Sequence, residues 1–126
     1  MNQFQRFLLT GALGFAVDFS ILYVAVNVGG LGPVSGRLLS FVIAASVTWK
    51  VNRHFTFASS QDPATWQWIR YLCTTAIGGA INIGVYRLWL MFTAPDNLNL
   101  FAAVVAGSAV ALIFNFALSK YIVFNR

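Results

Sequence analysis

Residues 7–28 read FLLTGALGFAVDFSILYVAVNV, and Asp18 is the only charged residue among them. A run of about 20 apolar residues, rising about 1.5 Å per residue as a helix, crosses roughly 30 Å of hydrocarbon. The run is too long for the core of a signal peptide, and no small-residue cleavage pattern follows it. Three further runs of this kind follow. Gly29-Gly30-Leu31-Gly32-Pro33 turns the chain into a second span, about Pro33 to Lys50, with Arg37 near its start. The third runs from about Tyr71 to Phe92, with Arg87 near its end. The turn Pro95-Asp96-Asn97 leads into the fourth, about Leu98 to Ser119. Helices are expected, because a spanning segment must satisfy its backbone groups internally.

Composition agrees with this reading. Of the 126 residues, 59% are hydrophobic and 9% charged, against about 25% charged in a soluble domain. The mean hydropathy is +0.74. These values exclude a small soluble enzyme and a disordered tail, which would need low hydrophobicity. Lys and Arg number eight against three Asp and Glu, a net charge of +5. The basic residues sit at the ends of apolar runs and form no nucleic-acid patch. Arg6, Lys50, Arg53, Arg70, Lys120 and Arg126 fall on one side, whereas the loops 29–33 and 93–97 carry no Lys or Arg. The positive-inside rule therefore predicts cytoplasmic N- and C-termini. Cys73 is the only cysteine, and His54 the only histidine. That excludes an internal disulfide and a zinc site of the usual spacing.

The middle loop, roughly Ala58 to Ile69, is the only sizeable polar segment. Asp62-Pro63 reads as a helix start, with the carboxylate as N-cap and proline at the first helical position. Trp66 and Trp68 follow, and indoles favour the headgroup level. A short interfacial helix feeding the third span is expected.

The chain also repeats itself. Residues 6–18, RFLLTGALGFAVD, align with 70–82, RYLCTTAIGGAIN, at an offset of 64, so that Asp18 corresponds to Asn82. Asn52-Arg53-His54-Phe55-Thr56-Phe57 aligns with Ser119-Lys120-Tyr121-Ile122-Val123-Phe124 at an offset of 67. Two spans per unit is an even number, so the units enter the membrane in the same direction, as in parallel repeats. The expected architecture is an all-α integral membrane domain, 1–126. It has four transmembrane helices, with repeat one at about 6–57, an interfacial linker at about 58–69 and repeat two at about 70–124.

These segments, together with Phe114-Asn115-Phe116, resemble the GtrA-like family over nearly the whole chain. The resemblance implies four spans with cytoplasmic termini and a role in cell-surface polysaccharide synthesis. It further implies movement of a polyprenyl-phosphate-linked sugar, such as undecaprenyl-phosphate glucose, across the bacterial inner (plasma) membrane. Asp18, Arg37, Asn52, Arg53, Asn115 and Phe124 match recurring family positions, whereas Arg87 matches none.

Asp18 lies roughly 16 Å along the first span, where a carboxylate costs about 2.5–3.5 kcal/mol and must face protein or a polar cavity. Its natural partner is Arg37, at a comparable depth on the antiparallel second span. Either the pair staples two helices together, or Arg37 leaves Asp18 to hold a passing phosphate. Arg6, Arg53, Arg70 and Lys120 are explained by positive-inside anchoring. The functional reading is a ring of cations collecting an anionic headgroup, for which the planar fork of arginine is suited. Asn52 and Asn115 would bond sugar hydroxyls or phosphate oxygens. The candidate substrate-binding set is thus Asp18, Arg37, Asn52, Arg53, Arg70, Asn82, Arg87, Asn115 and Lys120. Gly11, Gly14, Gly78, Gly79 and Gly84 line the odd spans, where small residues let helices approach closely.

The chain has no nucleophile–base pair, no metal cluster, no phosphate loop and no pair of catalytic carboxylates. The expectation is therefore a non-enzymatic transporter without cofactor, which the resemblance makes a flippase, acting as a homo-oligomer with membrane glycosyltransferases as further partners. Two alternatives stay open. One is a small proton-coupled exporter of cationic compounds. The other is a non-transporting anchor or assembly partner of a glycosyltransferase.

Overall fold

A computed structural model describes every residue except Ser59, Ser60, Pro95 and Arg126. Pro95 of the second turn and Arg126 of the basic set therefore lie outside the described residues. All regular structure among the described residues is helical: α1 Gln3–Asn27, α2 Pro33–Val51, α3 Ala64–Met91 and α4 Asn97–Leu118. α2 continues into a π-helical segment Asn52–Thr56, and α4 into another, Ser119–Val123.

The helix ends follow from local chemistry. Asn2 and Gln5 form a reciprocal capping box at the start of α1, with Gln5 N donating to Asn2 Oδ1 at 2.8 Å and Asn2 N to Gln5 Oε1 at 3.1 Å. Gly30, at φ +71°, turns the chain after α1, a conformation open mainly to glycine. Pro33 then opens α2, where its missing N–H costs nothing. Asp96 caps α4 by accepting from Asn99 N at 2.8 Å.

Two local expectations are corrected. α3 starts at Ala64, with Pro63 itself as N-cap, and no side chain caps it. The Asp62 carboxylate instead binds Arg70, because an arginine two turns into the helix is a stronger partner than a backbone amide. Among the described residues, the helical part of the middle loop is not a separate element, since α3 runs unbroken from Ala64 to Met91. Nothing between Trp66 and Tyr71 breaks a helix, and a continuing helix avoids a second nucleation cost. Trp66 stays exposed, whereas Trp68 Nε1 donates to Ser46 Oγ at 2.9 Å and ties α3 to α2.

Among the described residues, three helical stretches are long and apolar enough to cross a membrane, against the four expected: Gln3–Asn27, Pro33–Thr56 and Asn97–Val123. α3 has the length but is diluted by Gln67, Arg70, Thr74, Thr75, Asn82 and Arg87. The molecular surface is rich in exposed Phe, Leu, Ile and Val, including Phe15, Phe19 and Phe101. Such a surface suits lipid rather than water.

α1 packs chiefly on α2, and α3 on α4, giving two hairpins, with α1 and α4 touching only sparsely. The buried positions Phe7, Thr10 and Gly14 of α1 recur 64 residues later as buried Tyr71, Thr74 and Gly78 of α3. Gly36, Ser40 and Ala44 of α2 recur 67 residues later as buried Ala103, Gly107 and Ala111 of α4. At the end of the molecule that carries the π segments, Phe7, Phe57, Tyr71, Val123 and Phe124 form a buried core, against which Trp49 and Phe116 pack. Phe57 and Phe124, 67 residues apart, stack with ring centroids 4.8 Å apart and 13° between planes. Phe116 bridges to α1 through edge contacts with Phe4 and Phe7.

Candidate functional site

Asp18 and Arg37 meet as their depths require. Arg37 Nη1 donates to Asp18 Oδ2 at 2.5 Å. Their environments differ: the Asp18 side chain is 22% exposed and that of Arg37 57%. Asp18 faces inward, where it borders a cavity of about 220 Å³ lined by residues of all four helices. Arg37 stands outside that cavity, at the edge of a second, apolar groove formed with Phe19, Leu22, Tyr23, Val26, Asn27 and Pro33.

The central cavity unites three of the candidates, Asp18, Asn52 and Asn115. Sequence reasoning missed its other polar residues, Thr48, Tyr71, Thr75 and Ser119. Asn52 Nδ2 donates to Tyr71 Oη at 3.1 Å, and Tyr71 donates in turn to Thr48 Oγ1 at 3.0 Å. Thr56 Oγ1 donates to Asn52 Oδ1 at 2.8 Å. Both polar atoms of the Asn52 side chain are thus bonded within the protein. The offsets held a signal for two of these residues, because Thr48 corresponds to Asn115 and Ser119 to Asn52.

Close backbone approach shapes the cavity. A Cβ on Gly14 would lie 2.5 Å from Thr48 Cγ2. A Cβ on Gly78 would collide with the Asn115 amide, which lies directly on the α3 backbone. Gly11 differs, since a Cβ there meets nothing within 4 Å. Gly11 and Phe15 are exposed although they line the cavity. The cavity is open to its surroundings, the exposed Gly11 and Phe15 stand on its α1 wall, and α1 and α4 touch only sparsely.

The basic residues gather at the π-segment end, and several are engaged. Arg6 Nη1 donates to Phe55 O at 2.9 Å. Arg53 donates to Gln67 Oε1 at 2.7 Å and to Asp62 O at 2.9 Å. Arg70 binds the Asp62 carboxylate and reaches Val123 O at 3.3 Å. Gln67, fully buried on α3, also accepts from Trp49 Nε1 at 3.0 Å. It was not singled out from sequence, since a lone glutamine near a polar loop gives no burial signal. These bonds tie helix ends together, so Arg53 and Arg70 have a structural task. Lys120 lies over Phe116 and Tyr121, 5.8 and 5.4 Å from the ring centroids.

Two candidates stand apart. Asn82 packs against Gly107 between α3 and α4 and does not line the central cavity. Arg87 is exposed on α3. No group of three or more His, Cys, Asp or Glu able to hold a metal occurs among the described residues.

This is a multi-pass helical membrane domain with a polar cavity between two hairpins. The family model GtrA/DPMS, transmembrane domain, matches residues 6–124, and the chain belongs to that family. Its members are generally non-catalytic membrane proteins associated with polysaccharide and glycan synthesis. No solved structure matches the chain.

Proposed function

We propose that this protein flips a polyprenyl-phosphate-linked sugar across a bacterial plasma membrane. The observation that carries the reading is the open cavity that sets Asp18, Asn52 and Asn115 into a mostly apolar wall, within an apolar exterior. Its volume, about 220 Å³, is below the roughly 300–1,000 Å³ of drug-sized sites. It suits a headgroup of monosaccharide size, while a lipid chain stays outside. In this reading Arg37, outside the cavity but bonded to the cavity-lining Asp18, handles the phosphate at the edge of the second groove, and Asp18 returns the guanidinium to place afterwards. Lys120, with Arg53 and Arg70, gives the π-segment end the positive field that gathers an anionic headgroup. Asn82 and Arg87, outside the cavity, are assigned the far part of the path.

The end carrying Arg6, Arg53, Arg70 and Lys120 is taken to face the cytoplasm by the positive-inside rule. The recurrence of buried positions at offsets of 64 and 67, with a π segment at each corresponding helix end, supports a duplicated two-helix unit inserted in parallel. Four helices enclose little space, so the working unit is taken to be a homo-oligomer, with a membrane glycosyltransferase supplying the substrate.

The test is flipping of a labelled polyprenyl-phosphate hexose in proteoliposomes by wild type and by Arg37→Ala. Movement by wild type that is lost in a folded Arg37→Ala protein is the expected result. Failure of stable wild type to move any of several sugars would overturn the transport reading in favour of a membrane anchor. A strictly monomeric mass in native-like lipid would remove the oligomer alone.

A further inference from the structure

The central cavity and the groove between α1 and α2 meet at one ion pair. Asp18 lines the cavity, Arg37 lines the groove, and Arg37 Nη1 donates to Asp18 Oδ2 at 2.5 Å. The groove is the larger space, about 400 Å³ against about 220 Å³. Leu22, Val26, Pro33 and the rings of Phe19 and Tyr23 give it apolar walls.

A single i, i+4 ridge of α1 joins the two spaces. Gly11 and Phe15 line the cavity, Phe19, Tyr23 and Asn27 line the groove, and all five are exposed. Such a ridge runs inclined along the helix surface, so one elongated ligand lying on it touches both spaces. The two also lie at different depths. The cavity reaches from Asn52 and Ser119, at the π-segment end, up to Asp18. The groove takes the rest of α1, from Phe19 to Asn27, a rise of roughly 12 Å.

Along the molecule the order is polar cavity, ion pair, apolar groove. A polyprenyl-phosphate sugar has the same order: a ring bearing hydroxyls, a phosphate, a hydrocarbon chain. The charges agree as well. Arg37 is 57% exposed and spends one N–H on Asp18, so its planar fork has donors left for phosphate oxygens. Asp18 Oδ1 is buried without a hydrogen-bond partner and can accept from a hydroxyl of the ring.

We propose that the α1–α2 groove seats the chain of the lipid whose sugar enters the cavity, with the phosphate on Arg37 between them. The proposal rests on the lipid-linked-sugar reading above and adds that the chain is bound by the protein. A bilayer phospholipid is the poorer occupant, because it branches into two chains at the glycerol beside its phosphate, where the groove offers one apolar slot. The loaded lipid lies along α1 with its sugar towards the π-segment end. Its chain therefore occupies the far half of the span before the sugar has crossed.

The test uses polyprenyl-phosphate glucose with a diazirine on an isoprene unit near the phosphate, in phosphatidylcholine vesicles holding wild type. After illumination, adducts are mapped by peptide mass spectrometry. They should gather on residues 19–26, above the exposed α4 residues Phe101 and Ile113 outside the groove by on the order of tenfold. Excess unlabelled polyprenyl-phosphate glucose should abolish them, and the same excess of phosphatidylglycerol should not. Arg37→Ala should lower them by on the order of tenfold, since a hydrogen bond to a charged group is lost. Arg37→Gln takes its place if the alanine variant loses its melting transition. Adducts spread evenly over the exposed apolar residues would overturn the seat, as would equal competition by phosphatidylglycerol. Unchanged adducts in the Arg37 variant would overturn the placement of the phosphate. Flipping is followed in the same vesicles, which separates the two readings. Flipping without groove adducts overturns the seat alone, whereas groove adducts without flipping uphold the seat and overturn transport.

Discussion

Asp18 is held by one strong bond and carries one oxygen with no partner, and these two facts set what its substitution should do. Arg37→Ala removes the bond to Oδ2 and leaves a carboxylate inside an apolar span. Interhelical polar contacts in membranes are worth about 1–2 kcal/mol, so a loss of that size is expected in a detergent melt. Adding Asp18→Asn to Arg37→Ala should recover most of the stability, because the uncompensated charge is gone. A double-mutant cycle on the melting temperatures checks the coupling. Exchanging the two residues, Asp18→Arg with Arg37→Asp, separates the readings: a pure staple would regain function, whereas phosphate handling should stay impaired. The pair was legible in the sequence because depth along two antiparallel helices is simple arithmetic. Which oxygen would remain unpaired was not, since that depends on side-chain geometry across α1 and α2.

At the scale of the elements, glycines on the same faces have opposite tasks. Gly78→Ala should cost about 1–3 kcal/mol, the usual range for overpacking, because the new methyl meets Asn115. Gly11→Ala should change stability by less than about 0.5 kcal/mol, since its Cβ meets nothing. Gly11→Trp should therefore fold yet obstruct the gap between α1 and α4. Flipping is expected to fall sharply there while Gly84→Trp, also at a glycine with open space, leaves it intact. Both measurements use the same proteoliposomes, and equal activity of the two tryptophan variants would move the entrance elsewhere. Small residues on the odd spans were visible as a packing signal. Their division into contact and opening came only from how the hairpins meet.

For the whole molecule, the decisive prediction concerns sidedness. In a Cys73→Ser background, single cysteines at Gly30 and Thr93 should react with an impermeant maleimide from outside the cell. Cysteines at His54 and Gln61 should react only after the membrane is opened. Inverse labelling would reverse the assignment of the cytoplasmic end. The aromatic core beneath the cavity should be the stability centre: Phe57→Ala, which removes a ring stacked on Phe124, should cost about 3–5 kcal/mol. A melt reads that loss directly.

Hydropathy, turns and charge placement were enough to predict four helices, and all their ends to within about four residues except the start of α3, which lies seven residues before the expected Tyr71, because lipid forces backbone hydrogen bonds to be local. The family followed from short motifs at helix ends, and Asp18 with Arg37 followed from the cost of charge at depth. Local patterning could not show that α3 would absorb the expected interfacial helix. Nor could it show that Asp62 would bind Arg70, or that Gln67 would be fully buried among Trp49 and Arg53. Those outcomes depend on partners brought near by the packing of separate hairpins. The cavity belongs to the same class. Asn115 reaches it from the fourth helix, Tyr71 from the third and Asp18 from the first, and only the tertiary structure could set them around one space.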